Sequence, residues 1–308
     1  MSAPGLLVGI DGGGTKTRCL VADMAGRILG EGHAGPSNYQ AVGQQAATAA
    51  LRSAVDAALA AAGGSLADVT AACAGLAGVA RPEDRPVMLE ALAFLAPARV
   101  ELVTDARIAL EGALGGAPGV IVISGTGSIA MGRNAAGELF RAGGWGWILG
   151  DDGSGFDIGR RAIAGALAAL DGMGPATSLG ERICAAWGLE RLNQVVPRVY
   201  GDVAQSRPAI AALVPLVVQV ASEGDTVAAA ILDGAGRELG RLACAVLAKM
   251  QMPNGLVAVT GGVVTGVPAV RAALEEALAG LAPGARVIDG LVSPAEGALL
   301  MARALCAQ

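Results

Sequence analysis

Val8-Gly-Ile-Asp-Gly-Gly-Gly-Thr-Lys-Thr17 is the stretch on which the fold turns. An apolar run, Leu6 to Ile10, reads as a buried strand and stops at Asp11. Gly12, Gly13 and Gly14 follow, then Thr15 and Lys16. Consecutive glycines let the backbone turn tightly and approach a ligand with no Cβ in the way. Backbone N–H groups, a hydroxyl and an ammonium then stand where phosphate oxygens could be cradled. Asp11, at the strand end, is placed to hold a cation that accompanies phosphates. Taken alone, the same letters also describe an ordinary hairpin turn.

The chain on either side narrows that choice. Arg18–Asp23 and Arg27–Gly32 read as two further strands, with Gly26 marking the second turn. Ser37 or Asn38 is a helix N-cap candidate, and a helix is expected to run on to Ala62. Val69–Ala74 is a strand, Pro82–Leu95 a helix, and Arg99–Thr104 a strand closed by Asp105. The pattern then restarts. Gly119–Ile123 is an apolar strand, Ser124-Gly-Thr-Gly-Ser128 a second glycine turn, and Ile129–Arg133 and Glu138–Ala142 are strands around Gly137. Ile10-Asp-Gly-Gly-Gly-Thr15 thus aligns with Ile123-Ser-Gly-Thr-Gly-Ser128, an internal duplication. After the glycine-rich, tryptophan-bearing segment Gly143–Gly155, residues 156–250 read as helical. Leu256–Thr260, the Gly261-Gly262 turn, a helix over Val267–Leu281, and Arg286–Ile288 complete the second half. Ser293 and Glu296 form a capping box for a last helix, Ala295–Ala307. Strands alternating with helices in two halves predict an α/β protein of two domains. The expected domains are residues 1–107 with 294–308, and residues 108–293.

Composition excludes several classes. The 308 residues are 53% hydrophobic and only 3% aromatic, so a core is available and must be built mainly from aliphatic side chains, Ala and Gly. A net charge of −5 with no basic stripe argues against nucleic acid as a partner. The uncharged stretch after Glu111 is broken by glycines and Pro118, so no membrane partner is expected. The five cysteines are scattered, which suits reduced thiols and a cytoplasmic location. His33 is the only histidine, which excludes a His-based triad and a multi-histidine metal site.

The two glycine turns, Asp105 after the fifth strand, and Gly261-Gly262 together resemble the sugar kinase/Hsp70/actin superfamily. Gly143-Gly-Trp-Gly followed by Gly150-Asp-Asp-Gly-Ser-Gly155 narrows the resemblance to the BadF/BadG/BcrA/BcrD ATPase family, on its N-acetylglucosamine and glucosamine kinase branch. The fold it implies is two duplicated actin/ribonuclease-H-like domains around an ATP cleft. The activity it implies is ATP-dependent phosphorylation of the 6-hydroxyl of N-acetylglucosamine or glucosamine, with ATP and Mg²⁺ as cofactors and a homodimer as the usual assembly.

That resemblance assigns roles residue by residue. Asp11, Gly12, Gly13, Gly14, Thr15 and Lys16 match the first phosphate motif, with Asp11 near the metal. Thr126 and Gly127 match the second, on the nucleotide side, and Gly261 and Gly262 match the adenosine motif. Asp105 matches the catalytic carboxylate, which accepts the proton of the attacking hydroxyl. Asn38, Asp105, Ser128, Gly144, Trp145, Gly146 and Asp151 match positions around the sugar. Each has a local alternative: Asp105 and Asn38 as helix caps, Gly261-Gly262 as a strand-to-helix turn, and core packing for Trp145 or Trp147. One family position departs: Ile129 stands where eukaryotic N-acetylglucosamine kinases carry an Asn facing the sugar. Two other readings follow from the same superfamily: a dehydratase-activating ATPase, which needs cysteine ligands for an iron–sulfur cluster, and a kinase of another hexose or N-acetyl sugar.

Overall fold

The computed structural model describes residues 5–96 and 98–307, with Val203 and Ala204 described by backbone alone. The first mixed sheet contains β1 (Leu6–Gly12), β2 (Thr17–Asp23), β3 (Ile28–Ala34), β4 (Val69–Leu76) and β5 (Arg99–Thr104). The second contains β6 (Gly119–Ser124), β7 (Ser128–Arg133), β8 (Leu139–Gly143), β9 (Leu256–Thr260) and β10 (Arg286–Asp289). Their orders are β3-β2-β1-β4-β5 and β10-β9-β6-β7-β8. Setting β6 on β1 and β9 on β4 makes the two identical. Each is an antiparallel meander of three strands with two strands added parallel to the first. The duplication read from the two glycine turns therefore extends through five strands.

Helices α1 (Tyr39–Val42), α2 (Gln44–Ala62), α3 (Asp84–Ala91) and α4 (Asp105–Leu114) accompany the first sheet. The second sheet has α5 (Gly155–Leu170), α6 (Leu179–Trp187), α7 (Val195–Tyr200), α8 (Val203–Ala211), α9 (Val214–Ser222), α10 (Thr226–Lys249), α11 (Gly262–Gly266) and α12 (Pro268–Leu281). The last helix, α13 (Pro294–Leu305), returns to the first sheet. The Ser293–Glu296 capping box opens it: Glu296 N–H donates to Ser293 Oγ at 3.4 Å, and Ser293 N–H donates to Glu296 Oε2 at 3.0 Å. Two expected helices are shorter than read. The run from Asn38 to Ala62 is split at Gly43, whose φ of 83° lies where a helix cannot continue. The helix expected over Pro82–Leu95 starts only at Asp84, and Ala93–Leu95 is a separate 3₁₀ turn.

By internal contacts the chain forms two compact units, Met1–Ala117 with Gly290–Gln308, and Pro118–Asp289. Helix α4 packs on α13 and so belongs to the first unit, which sets the division ten residues beyond the expected boundary at 107.

In the first unit β1 is buried on both faces, which is why it reads as a continuous apolar run. Leu6, Val8 and Ile10 face α2 through Leu51, Val55 and Leu59. Leu7 faces α4 and α13 through Ile108 and Leu299. Each such side chain contributes roughly 1.5–3 kcal/mol by leaving water. Scarce aromatics are offset by close backbone packing. A Cβ on Gly297 would lie 2.0 Å from the Ile108 carbonyl oxygen, so α13 rests directly on α4 only because Gly297 has none. In the second unit Val120 and Val122 of β6 share a core with Leu239, Ala243 and Val246 of α10. Among the described residues no helix is long and apolar enough to cross a membrane.

Candidate active site

Parallel strands end together, and ligands of α/β sheets bind beyond those carboxyl ends. In the first unit β1, β4 and β5 end at Gly12, Leu76 and Thr104. The stretch after β1 is indeed a hairpin turn into β2, with Gly13 N–H donating to the Lys16 carbonyl at 3.0 Å. Its carbonyls are tied inward. Gly12 O accepts from Ala77 N–H at 2.8 Å, and Gly13 O accepts from Ser37 and Asn38 N–H at 3.0 and 3.2 Å. Thr17 Oγ1, buried, donates to Gly35 O, and it lies 2.8 Å from Ser37 Oγ. A Cβ on Gly12 would meet Ser37 Oγ at 2.4 Å, so the turn is locked against this loop. Gly14, Thr15 and Lys16 are left exposed at the tip.

Asp11 precedes the turn and pairs across the ladders with Arg18 and Gly75. Burial raises its carboxyl pKa, the Asp105 charge raises it further, and Lys16 and Arg18 oppose both. Asp105 sits in the first turn of α4. Thr104, not Asp105, caps that helix: Thr104 Oγ1 accepts from Arg107 N–H at 3.2 Å. Asp105 Oδ1 accepts from Ala106 N–H at 2.8 Å. Surrounding protein raises the Asp105 pKa, while the N–H groups of Ala106 and Asp105 pull it down. The residue remains solvent-exposed, and water on that side limits the rise. Two carboxylates that sense each other thus stand at one end of one sheet.

Asn38 does cap a helix: its Oδ1 accepts from Gln40 N–H at 3.1 Å at the start of the single-turn α1. Gln40 Nε2 reaches the Gly78 carbonyl and Asp84 Oδ1, each at 3.2 Å, and Tyr39 OH donates to Asp84. These bonds fix the loop that carries Asn38.

In the second unit the turn after β6 is closed by Gly125 N–H donating to the Gly127 carbonyl at 3.0 Å. The amino end of α5 grips it, with Gly155 N–H donating to Gly125 O at 2.7 Å. Gly261, at the end of the adjacent β9, has φ 98°, and a Cβ there would lie 2.4 Å from the Ser124 carbonyl oxygen. The second and third glycine motifs are therefore packed on each other. Gly262 and Gly125 face open space. Thr126 is exposed, whereas Ser128 is buried and donates its hydroxyl to the Asp152 carbonyl at 2.7 Å.

Gly144 and Gly146 adopt φ of 69° and 88°. Gly144 N–H donates to the Ser128 carbonyl at 3.1 Å, joining the tryptophan segment to the turn. The two tryptophans differ. Trp147 is half-buried and packs edge-on against Phe156 at the border of the core, with centroids 5.2 Å apart. Trp145 is 64% exposed, with the Arg141 guanidinium 4.1 Å from its ring centroid. Ile129 packs where a Cβ on Gly144 would be, at 2.7 Å. Asp151 is buried and left-handed, at φ 63°. Burial raises its pKa, while the Ser128 N–H and Arg207 draw it back.

Several contributors escaped the sequence reading. Ser37 and Thr17 lock the first turn, Thr104 starts α4, and Asp157 Oδ2 accepts from Gly153 N–H at 3.1 Å behind Asp151. Thr104 lies beside Asp105, a residue type the N-cap preference ranks higher, so that preference could not single out Thr104. Arg207 reaches Asp151 from 56 residues away, and no local spacing could signal it.

Two copies of this sheet, each with a glycine turn after its first strand, define the actin-like α/β fold of the sugar kinases. The chain belongs to the BadF/BadG/BcrA/BcrD ATPase family, whose model matches residues 8–302. It is 35% identical over 305 residues to the N-acetylmuramic acid/N-acetylglucosamine kinase of Clostridium acetobutylicum, covering 97% of this chain and 99% of that one. It is 31% identical over 311 residues to the N-acetyl-D-glucosamine kinase of Dictyostelium discoideum, covering 96% and 97%. Among solved structures it is similar to a candidate N-acetylglucosamine kinase of Chromobacterium violaceum, with a TM-score of 0.77, 30% identity, and 97% and 99% of the two chains covered.

Proposed function

We propose that this protein is an ATP-dependent kinase of an amino sugar, transferring the γ-phosphoryl group to the 6-hydroxyl of N-acetylglucosamine or glucosamine. The observation that carries this reading is Asp105 beside Asp11: an accessible carboxylate of raised pKa at the mouth of the first turn, one strand removed from a second carboxylate. The family and the relatives supply the substrate class.

In this reading the exposed tip of Gly14, Thr15 and Lys16, with Gly12 and Gly13 behind it, receives the phosphates of ATP. Thr126 and Gly127 serve the nucleotide from the second turn, and the open backbone at Gly262, with Gly261, serves the adenosine. Asp105 accepts the proton of the sugar hydroxyl as it attacks. Its raised pKa makes it a better acceptor than a fully hydrated carboxylate. Asn38, Ser128, Gly144, Trp145, Gly146 and Asp151 hold the sugar. Ser128 gives its proton to Asp152 O, so it serves the sugar as an acceptor. Arg141 covers part of the Trp145 ring, so the stacking surface is the part left open.

Magnesium suits the donor set. Among the described residues no group of three or more His, Cys, Asp or Glu side chains could hold a metal by themselves. Mg²⁺ is commonly bound by one or two carboxylates together with phosphates and water, and Asp11 beside an exposed turn offers that arrangement. Asp11 would hold it, and the ion would neutralise phosphate charge.

The dehydratase-activator reading requires accessible thiolates. Cys73 is wholly buried in β4, where burial pushes its thiol pKa up and Met301 Sδ lies 3.9 Å away.

Coupled ADP release across glucosamine, N-acetylglucosamine, N-acetylmuramate, N-acetylmannosamine and glucose tests the proposal. Sugar-dependent turnover on an amino sugar is expected. ADP release indifferent to every sugar defeats the kinase reading. Preference for glucose would leave a kinase but remove the amino-sugar assignment. Ile129 packed on Gly144 offers only apolar contact, so discrimination at the N-acetyl group is expected to be weaker than a polar contact there would give.

A further inference from the structure

Arg207 has no part in the motifs. It lies on α8, in the helical portion between β8 and β9, and its Nη2 donates to Asp151 Oδ2 at 3.3 Å. Asp151 is 5% exposed, so this carboxylate has little water to compensate its charge. The pair sits directly on the second glycine turn. A Cβ on Gly127 would meet Asp151 Oδ2 at 2.7 Å and Arg207 Nη2 at 3.2 Å. Gly127 has no side chain to give, and this leaves room for the pair. Arg207 Nε is buried and has no hydrogen-bond partner among the described residues. The guanidinium is therefore not committed to the protein through that donor, and its recorded ion pair is with Asp151.

We infer that Arg207 is a positioning residue for sugar recognition, holding Asp151 oriented and ionised so that it can accept hydrogen bonds from sugar hydroxyls. This rests on the amino-sugar kinase reading given above. A buried carboxylate without a counter-charge takes up a proton instead of staying ionised, and a protonated acid loses acceptor capacity. The groups facing Asp151 are few. The N–H groups of Ser128 and Gly146 and the Arg207 guanidinium favour the ionised form, and the neighbouring Asp152 charge opposes it. Arg207 is the full positive charge among these groups. Its placement also gives the helical portion a direct hold on the sugar site, which glycine turns and strand ends alone do not provide.

The test compares the parent protein with Arg207→Gln and Arg207→Lys, using N-acetylglucosamine and glucosamine as the sugars. Arg207→Gln should raise the sugar KM about tenfold or more, the lower range for losing a hydrogen bond to a buried charge. The ATP KM should stay within about twofold, because uniform binding of the other substrate is untouched. The acid limb of kcat/KM for the sugar should move to higher pH, since Asp151 would hold its proton longer. Arg207→Lys keeps the charge and should return the acid limb to the parental position with an intermediate sugar KM. A parental sugar KM and pH profile in Arg207→Gln overturns the inference, even if its Tm falls. So does a rise confined to the ATP KM. If Arg207→Gln does not fold, a parental sugar KM in folded Arg207→Lys counts against the inference, because a lysine cannot reproduce the guanidinium geometry. A parent protein that phosphorylates neither sugar overturns the amino-sugar assignment on which the inference rests, which separates the two failures.

Discussion

Asp105→Asn separates chemistry from structure at a single atom. Asn keeps an Oδ1 that can accept from Ala106 N–H, the 2.8 Å bond Asp105 now makes. Helix α4 keeps its start because Thr104 supplies the cap, so the ~0.5–2 kcal/mol penalty for a lost N-cap does not arise. Losing a negative charge in the first helical turn costs roughly 0.3–1 kcal/mol. Relief from burial of the charge and from repulsion by Asp11 works in the opposite direction. These terms partly cancel, and folding stability at neutral pH should change by no more than about 1 kcal/mol. Turnover should fall by about 10²–10⁴, the share general-base catalysis contributes, which corresponds to ~2.7–5.5 kcal/mol of barrier. Coupled ADP release measures kcat, calorimetric titration follows sugar and nucleotide binding, and thermal melting reports stability. A variant that binds both ligands and turns over within about threefold of the parent would refute the assignment of Asp105 as the proton acceptor. A variant whose binding is lost while its Tm is unchanged would instead make Asp105 a sugar-holding residue.

Other outcomes follow from the same geometry. Asp11 and Asp105 both have folded pKa values above the ordinary carboxylate value, so their contribution to stability is present below the unfolded pKa and is lost as pH rises through the folded one. Asp11→Asn should therefore raise Tm at pH 7 relative to the parent, with the difference closing near pH 3, while the Mg²⁺ concentration needed for half-maximal activity increases; melting curves across pH and an Mg²⁺ titration read both. Thr104→Ala removes the cap on Arg107 N–H and should cost ~0.5–2 kcal/mol in denaturant unfolding, with a kcat decrease as Asp105 loses its fixed helix start. Gly261→Ala puts a Cβ 2.4 Å from the Ser124 backbone oxygen at φ 98°, so it should destabilise by more than about 1 kcal/mol and raise the ATP KM by a larger factor than the sugar KM; equal effects on both would count against an adenosine role. Trp147→Ala should cost toward the lower end of about 3–5 kcal/mol because the ring packs on Phe156, whereas Trp145→Ala, at an exposed site, should leave Tm nearly unchanged and raise the sugar KM.

Much of the fold was legible because its signals are local. Glycine at fixed offsets after an apolar run marks a turn wherever it occurs, and the repeat of that run at Gly119–Ile123 disclosed the duplication that the two strand orders share. Ser293 with Glu296 spelled out a helix start in four consecutive residues. Errors arose where local letters were ambiguous. Gly43 could be absorbed into a helical pattern until its φ of 83° forced a break, and the cap that Asp105 offered as an alternative role is made by Thr104.

By itself the sequence determined that Asp11 to Lys16 is a glycine turn at the end of a buried strand, and that Ser124 to Ser128 repeats it. Only the tertiary structure decided what surrounds those turns. Asp11 feels Asp105 because β4 alone separates β1 from the β5 strand that leads into Asp105, although the two residues are 94 positions apart along the chain. Of two neighbouring tryptophans one is half-buried against the core and the other stayed exposed, because Phe156 packs on Trp147. Arg207 meets Asp151 only because a helix far along the chain folds back onto Gly127. Turn chemistry is set by backbone torsions within a few residues, so it is written in order. The partners of a buried charge are set by packing, which brings together residues that the order of the chain keeps apart.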